Sequence, residues 1–434
     1  MSKMISLTKS AKVAGEYDVV VCGGGVAGFA AAVSAARAGL KTAIVERFNC
    51  FGGTCTQGNV IPVSGFFHKE ERVVGGIGWE LIERLAAKGM ARAEMPKGHV
   101  SANIEYTKLE MQRMLLEAGV ELYTNCYLTD CIQDGGKITH AIIESKSGTE
   151  ALAAKCFIDA TGDGDLCQLA GAPMMEKKEE LQPMSMCFLL EGADTTTDLL
   201  KGYICHNGYA GQASCNKEIQ TYLLSRTDRI GQFGGPWFNT LMEGTSLAVN
   251  VTRAACDATN REDLTRAESK LREDVFTIVE LLKEHYPEFK NSVVVGTPSL
   301  VGIRETRHIL GEDMACGEEM ISGVTYPCPV ARCAHPMDIH SAKSSAQSLT
   351  YVEKPYYVPH GALIPQGSQN LLVAGRCLCA DQGAYASLRV QATLMSIGEC
   401  AGLMVQQCCE DQVPVSQLDV AKLAAKIAER GCVL

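Results

Sequence analysis

The strongest constraint on this chain is a glycine-rich turn, Gly23-Gly-Gly-Val-Ala-Gly28, set between a short apolar run and an alanine-rich segment. Tyr17 to Cys22 reads as a buried parallel strand, because its apolar run is short and ends abruptly at the glycines. Val26 to Leu40 reads as a helix with Gly39 in its closing turn, and Lys41 to Glu46 as a second buried strand. Strand, turn, helix and strand make one right-handed βαβ unit. In such a turn Gly23 serves the tight bend, Gly25 lets the backbone approach a pyrophosphate, and Gly28 lets the helix pack closely on the strand. Val26 and Ala27 open the helix whose amides and dipole face the phosphates. Glu46, at the end of the second strand, stands where an acid accepts hydrogen bonds from adenosine ribose hydroxyls. The unit therefore predicts a bound dinucleotide without saying which.

The rest of the chain bounds the answer. Its 434 residues suit two folding units, and 46% hydrophobic with 21% charged residues is a globular balance. A net charge of −10 weighs against nucleic acid as a partner. No apolar run is long enough for a signal peptide or a membrane span, so a cytoplasmic location is expected. The 20 cysteines lack any CxxC spacing; they are read as buried small hydrophobes, and no metal site is expected.

Further along, Ile104 to Ala118 has helical spacing, Val120 to Cys131 alternates as a strand, and Gly135-Gly136 marks a hairpin before Ile138 to Lys146. Ala151 to Asp159 ends as an apolar strand running into Thr161-Gly-Asp-Gly-Asp165. From about Gly171 to Pro359 the βαβ pattern fades, apart from a charged helix from Arg261 to about His285 ended by Pro287. The chain returns with a strand at Asn370–Ala374, a helix from about Ser387 to Cys409, and a last helix from roughly Gln417 to Arg430.

These segments carry a resemblance. Asp18 to Gly58, Ala154 to Pro173, Gln182 to Gly192, Val249 to Arg253, Gly302 to Glu312, Pro336 to His340 and Val358 to Gly402 resemble the FAD-dependent oxidoreductase family. That family belongs to the glutathione-reductase-like superfamily and is related to the FAD module of heterodisulfide reductase A subunits. The resemblance implies FAD as cofactor and an α/β fold: a Rossmann-like FAD-binding domain with a parallel sheet, plus an inserted α+β substrate domain. It places the FAD domain at 15–170 and 360–434, with an excursion near 60–105, and the substrate domain at 171–359.

Carried over by position, Glu46 and Arg47 match the adenosine end, and Gly53 and Thr54 the loop beneath pyrophosphate and flavin. Thr161 and Gly162 match a turn packed on the dinucleotide, and Gly375 and Arg376 the turn beside pyrophosphate and ribityl chain. Leu388 to Gln391, with Arg389 and Val390, would open a helix aimed at the flavin N1–C2=O edge, where a reduced flavin is anionic. No second glycine loop follows a strand, so a separate nicotinamide domain is not expected.

Arg304 and Arg307 in RETR, Arg253 in VNVTR, His340 beside Asp338, and His360 form the candidate substrate face. Arginines bind carboxylates or phosphates bidentately, and histidine suits proton transfer coupled to hydride transfer. The expected activity is hydride transfer between flavin N5 and a small anionic organic substrate, with His360, Arg304, Arg307 and His340 as catalytic candidates. Direction, external electron donor or acceptor, and homo-oligomerisation stay open. A flavin electron-transfer subunit working with a redox partner is the alternative, and an FAD-dependent RNA-modifying protein a weaker one.

Overall fold

The glycine loop folds as its sequence requires. In the computed structural model, which describes residues 5–91, 100–176, 180–201, 204–205, 215–240 and 246–433, strand β1 spans Lys12–Cys22 and helix α1 Val26–Arg37. Strand β2 spans Thr42–Glu46. β1 pairs in parallel with β2 on one side and with the strand Gly148–Asp159 on the other. The strand order thus reverses at β1, and the crevice beyond its carboxyl end is where open α/β sheets bind ligands.

Outward from β2, Glu121–Thr124 adds a further parallel strand, and Leu371–Val373 pairs in parallel with Phe157–Asp159. The long strand Gly148–Asp159 also turns antiparallel partners toward Lys137–Ser145, which in turn pairs with Tyr127–Asp134. One strand therefore joins a parallel sheet to a three-stranded meander. The single strand expected at Val120–Cys131 is in fact two, Glu121–Thr124 and Tyr127–Asp134. They are split at Asn125, which takes a left-handed φ of 57° and donates its amide to Phe48 O at 3.0 Å. Asparagine tolerates that conformation better than most residues, so the break follows from residue chemistry.

The C-terminal helix also divides. Gln382–Leu388 and Gln391–Asp411 are separate helices, with Arg389 closing the first and Val390 capping the second. Arg389 was expected to open a helix; it ends one instead. The Gln391–Asp411 helix lies directly on α1, and two glycines one turn apart make that possible. A Cβ on Gly398 would overlap the carbonyl of Ala27, and one on Gly402 would come within 2.6 Å of Ser34 Cβ. Ser34 Oγ donates to Glu399 O at 2.8 Å across the same contact. The two helices, whose first turns both border the crevice, are thereby held in fixed relation.

A second, five-stranded sheet runs 204–205, Phe233–Thr240, Leu247–Thr252, Phe188–Glu191, Val293–Gly296, and is antiparallel except for its first pair. The helix Arg261–His285 covers it, entered through Asn260, whose side chain accepts the amides of Glu262 and Asp263. Its apolar side, including Leu271, Val275, Ile278 and Leu282, packs into a core of its own with Phe188, Phe238 and Val249. The larger core beneath the first sheet gathers α1 and the Gln391–Asp411 helix, and also Ile309, Val330, Tyr356 and Val358. The fold is a mixed α/β, Rossmann-like arrangement around a parallel-containing sheet.

Candidate cofactor cleft and the arginine cluster beside it

A cleft of about 150 Å³ opens at the carboxyl ends of β1 and β2. Its walls include Gly23, Gly25, Val26, Ala27, Glu46, Arg47, Gly53, Thr54, Thr161, Gly162, Gly375, Arg376, Arg389 and Gln391. Gly28 and Val390 are not on its wall; Gly28 faces the strand and Val390 caps the helix behind.

The three loop glycines are needed for different reasons. Gly23 has φ 104°, and a Cβ there would strike the Ala160 carbonyl; on Gly28 it would strike the Gly23 carbonyl. Gly25 has an ordinary φ of −62°, and a Cβ there would meet no protein atom within 4 Å. The protein itself gives no reason for glycine at 25. The space it leaves open is the cleft.

The turn around this loop is braced by polar groups. Glu46 accepts the amides of Gly24 at 2.7 Å and Phe48 at 2.9 Å, while burial holds its pKa above the ordinary carboxyl value. Gly52 N donates to Gly24 O at 2.8 Å, which seats the Gly53–Thr54 loop against the glycine turn. Fully buried Asp159 accepts Thr161 N at 3.1 Å, Thr161 Oγ1 at 2.7 Å and Cys167 N at 2.9 Å, fixing the Thr161–Gly162 turn. Arg376 donates through Nη2 to Asp163 Oδ1 at 3.0 Å. Its Nη1, Arg389 Nε and Gln391 Oε1 are buried without a hydrogen-bond partner among the described residues. Buried polar atoms are rarely left so unless something else satisfies them. A cleft with an open glycine, helix first turns and unpartnered guanidinium nitrogens suits a pyrophosphate-bearing flavin nucleotide.

Sequence reading missed part of this wall. Phe48, Cys126, Tyr127 and Leu128 also line it. Splitting Val120–Cys131 at Asn125 would have revealed it, since the residues just after a parallel strand border the crevice.

Beyond Arg389 lies a second constellation, drawn from five separate segments. Asp338 Oδ2 stands 3.0 Å from His340 Nε2 and 3.3 Å from Arg389 Nη2. Arg253 Nη2 lies 2.7 Å from His340 Nδ1. A guanidinium can only donate, so Nδ1 accepts, and the ring proton sits on Nε2 facing Asp338. Burial, then the charge of Arg304, push the His340 pKa down to about 3, with Asp338 opposing. His340 is therefore a neutral imidazole with both nitrogens engaged. Burial acts to raise Asp338, but the His340 hydrogen bond and the charge of Arg389 outweigh it and hold the carboxyl well below its usual range. Arg304 donates through Nη1 to Pro183 O at 2.6 Å and Ser185 Oγ at 2.8 Å. Burial and the charges of Arg389 and Arg253 lower its pKa to about 9.

The remaining candidates lie apart. Arg307 donates to Asp163 O at 2.8 Å and pairs with Asp165, and so supports the turn under the cleft. His360 begins a short 3₁₀ turn near Asp313, outside the cleft wall, with its pKa lowered by burial. Cys55 is buried and its thiol pushed up to about 12, the state of an inert side chain.

Residues 18–427 match the family model described as FAD dependent oxidoreductase. A dihydrolipoyl dehydrogenase of Trypanosoma brucei brucei is 52% identical over 52 residues, 12% of this chain and 11% of that one. A soluble pyridine nucleotide transhydrogenase of Chromohalobacter salexigens is 28% identical over 154 residues, 34% of this chain and 30% of that one. The chain thus spans about a tenth to a third of the length of these curated relatives. Among solved structures, a geranylgeranyl bacteriochlorophyll reductase-like protein of Thermoplasma acidophilum superposes with a TM-score of 0.50 at 14% identity, covering 95% of this chain and 82% of that one. At that identity the likeness concerns the fold. No described helix is long and apolar enough to cross a membrane.

Proposed function

The chain belongs to the FAD-dependent oxidoreductase family, and from that premise we propose that it moves a hydride between FAD and a small anionic organic substrate. Bound FAD supplies a reversible two-electron acceptor. The protein supplies position and charge. One observation carries the reading: at the Arg389 end of the cleft, the cations Arg253, Arg304 and Arg389 gather around the carboxylate of Asp338. Positive charge held there favours both a reduced, anionic flavin and an anionic substrate.

The residue roles follow from this. Gly25, Val26, Ala27, Gly53, Thr54, Thr161, Gly162, Gly375 and Arg376 hold the pyrophosphate and ribityl chain, while Glu46 and Arg47 hold the adenosine end. Arg389 and Gln391 meet the flavin, with Val390 setting the helix start. Arg304 faces the substrate. Arg307 holds the Asp163–Asp165 turn in place, and neutral His340 orients Arg253. His360 stands outside the cleft wall, near Asp313, and takes no part in this reading. Residues 15–170 with 360–434 form the cofactor unit and 171–359 the substrate side, with Ile309–Val358 packed on the first core.

The test is to mix holoprotein anaerobically with small organic acids and with their methyl esters. Bleaching of the flavin by acids and not by esters supports the reading. Bleaching by esters alone overturns it.

A further inference from the structure

Among the described residues, the guanidinium groups of Arg253, Arg304 and Arg389 share the carboxylate of Asp338, and burying charge without a counterion is costly. Arg253 is 2% exposed and packs against Gly234, with Nη2 on His340 and Nη1 on Ala346 O at 3.2 Å. Arg389 spends Nη2 on Asp338, and among the described residues neither Arg253 Nε nor Arg389 Nε has a partner. Among the described residues, Arg304 Nη1 donates to Pro183 O and Ser185 Oγ. Gln182, 4% exposed, accepts with Oε1 from His340 N and Arg389 Nη2, both at 3.4 Å, while its Nε2 donor has no partner among the described residues. Burial pushes Arg253 down to about 10, with the charge of Asp338 opposing.

We propose that Arg304, Arg389 and the Gln182 amide form a subsite for the carboxylate of a small organic acid, with Arg253 held behind it by His340. This deepens the functional reading above and rests on it for the choice of substrate. Guanidinium forks match two coplanar acceptor oxygens. The few free donors suit a carboxylate better than the larger acceptor set of a phosphate. His340 is here a positioning residue. Its Nδ1 takes one Arg253 hydrogen bond and its Nε2–H ties it to Asp338, so Arg253 keeps its charge toward the subsite.

Trp237 is a built-in reporter, since its ring lies 6.2 Å from that of His340 in an edge-on arrangement. Oxidised holoprotein is titrated with acetate, acetamide and inorganic sulfate at constant ionic strength. Binding is read by calorimetry and by Trp237 fluorescence, with Trp237→Phe as the control for the reporter. The expected result is saturable acetate binding, no acetamide binding, and weaker sulfate binding. Arg304→Met and Arg389→Met should each weaken acetate roughly tenfold or more, the loss of one charge-assisted hydrogen bond, and Arg304→Lys should restore part of it. Equal binding of acetamide, tighter binding of sulfate, or parental affinity in both methionine variants overturns the subsite. The acetate-to-acetamide comparison needs no variant, so a misfolded mutant cannot obscure it. Acetate binding to a protein whose flavin no acid reduces would support the subsite while removing the hydride reading.

Discussion

Replacing Gly25 and Gly28 separately by alanine distinguishes a glycine required by the ligand from one required by the fold. At Gly28 the added methyl overlaps the Gly23 carbonyl, which is backbone and cannot swing away. Alanine in a helix gains about 1 kcal/mol over glycine, but overpacking against fixed atoms costs about 1–3 kcal/mol or more. The clash should win, so Gly28→Ala loses stability with or without FAD. At Gly25 the methyl meets no protein atom within 4 Å, and φ is −62°. The fold-level cost is then only the weaker N-cap, below about 1 kcal/mol. The methyl does occupy the space over the loop amides. Losing one charge-assisted hydrogen bond to pyrophosphate costs about 1.5–3 kcal/mol, or roughly 10–150-fold in Kd. The assay pairs thermal unfolding of the FAD-free proteins with FAD affinity from flavin fluorescence quenching. Gly25→Ala should unfold like the parent and bind FAD weakly. Parental FAD affinity in Gly25→Ala, or equal destabilisation of both apoproteins, would refute the reasoning.

Three further outcomes are expected. Glu399 accepts Ile77 N at 2.7 Å, and burial pushes its pKa up to about 7. A carboxyl raised in the folded state binds its proton more tightly there than when unfolded. Its contribution is therefore whole below about pH 4.5 and is lost as pH rises through about 7, a change on the order of 3 kcal/mol at most. Glu399→Gln should flatten the unfolding temperature across that window, and an unchanged pH profile would contradict the assignment. Arg376→Lys keeps the charge but loses the fork, so FAD should dissociate about tenfold faster in a fluorescence-recovery experiment; an unaltered rate would remove Arg376 from the cofactor contacts. His360 lies outside the cleft wall, so His360→Ala should leave both flavin bleaching by a substrate acid and acetate affinity unchanged. A several-fold slower bleaching would place it in the reaction after all.

The glycine unit was legible because every element of it is local: apolar run, turn, alanine-rich helix and second run lie within thirty or so residues. Leu371–Val373 and Arg261–His285 were legible for the same reason, the latter because Asn260 and Pro287 punctuate it. The break at Arg389–Val390 was not, since it carries no glycine or proline and tertiary packing sets it, and the break at Asn125 has only the asparagine itself as a signal. Likewise the sequence offered Arg253, Arg304, His340 and Arg389 as separate candidates. Their convergence depends on five distant segments meeting, which no periodicity encodes. The neutral state of His340 is a consequence of that meeting, through Arg253 on one nitrogen and Asp338 on the other.

Hydride transfer is the central claim, and isotopic substitution at the donor carbon tests it most directly. The acid that bleaches the flavin anaerobically is prepared with deuterium at the carbon next to its carboxylate, and reduction is followed by loss of the visible flavin band. The account predicts a several-fold slower reduction with the deuterated acid and a single two-electron phase. Reduction at the same rate for both isotopologues, or through a persistent one-electron flavin species, would contradict it.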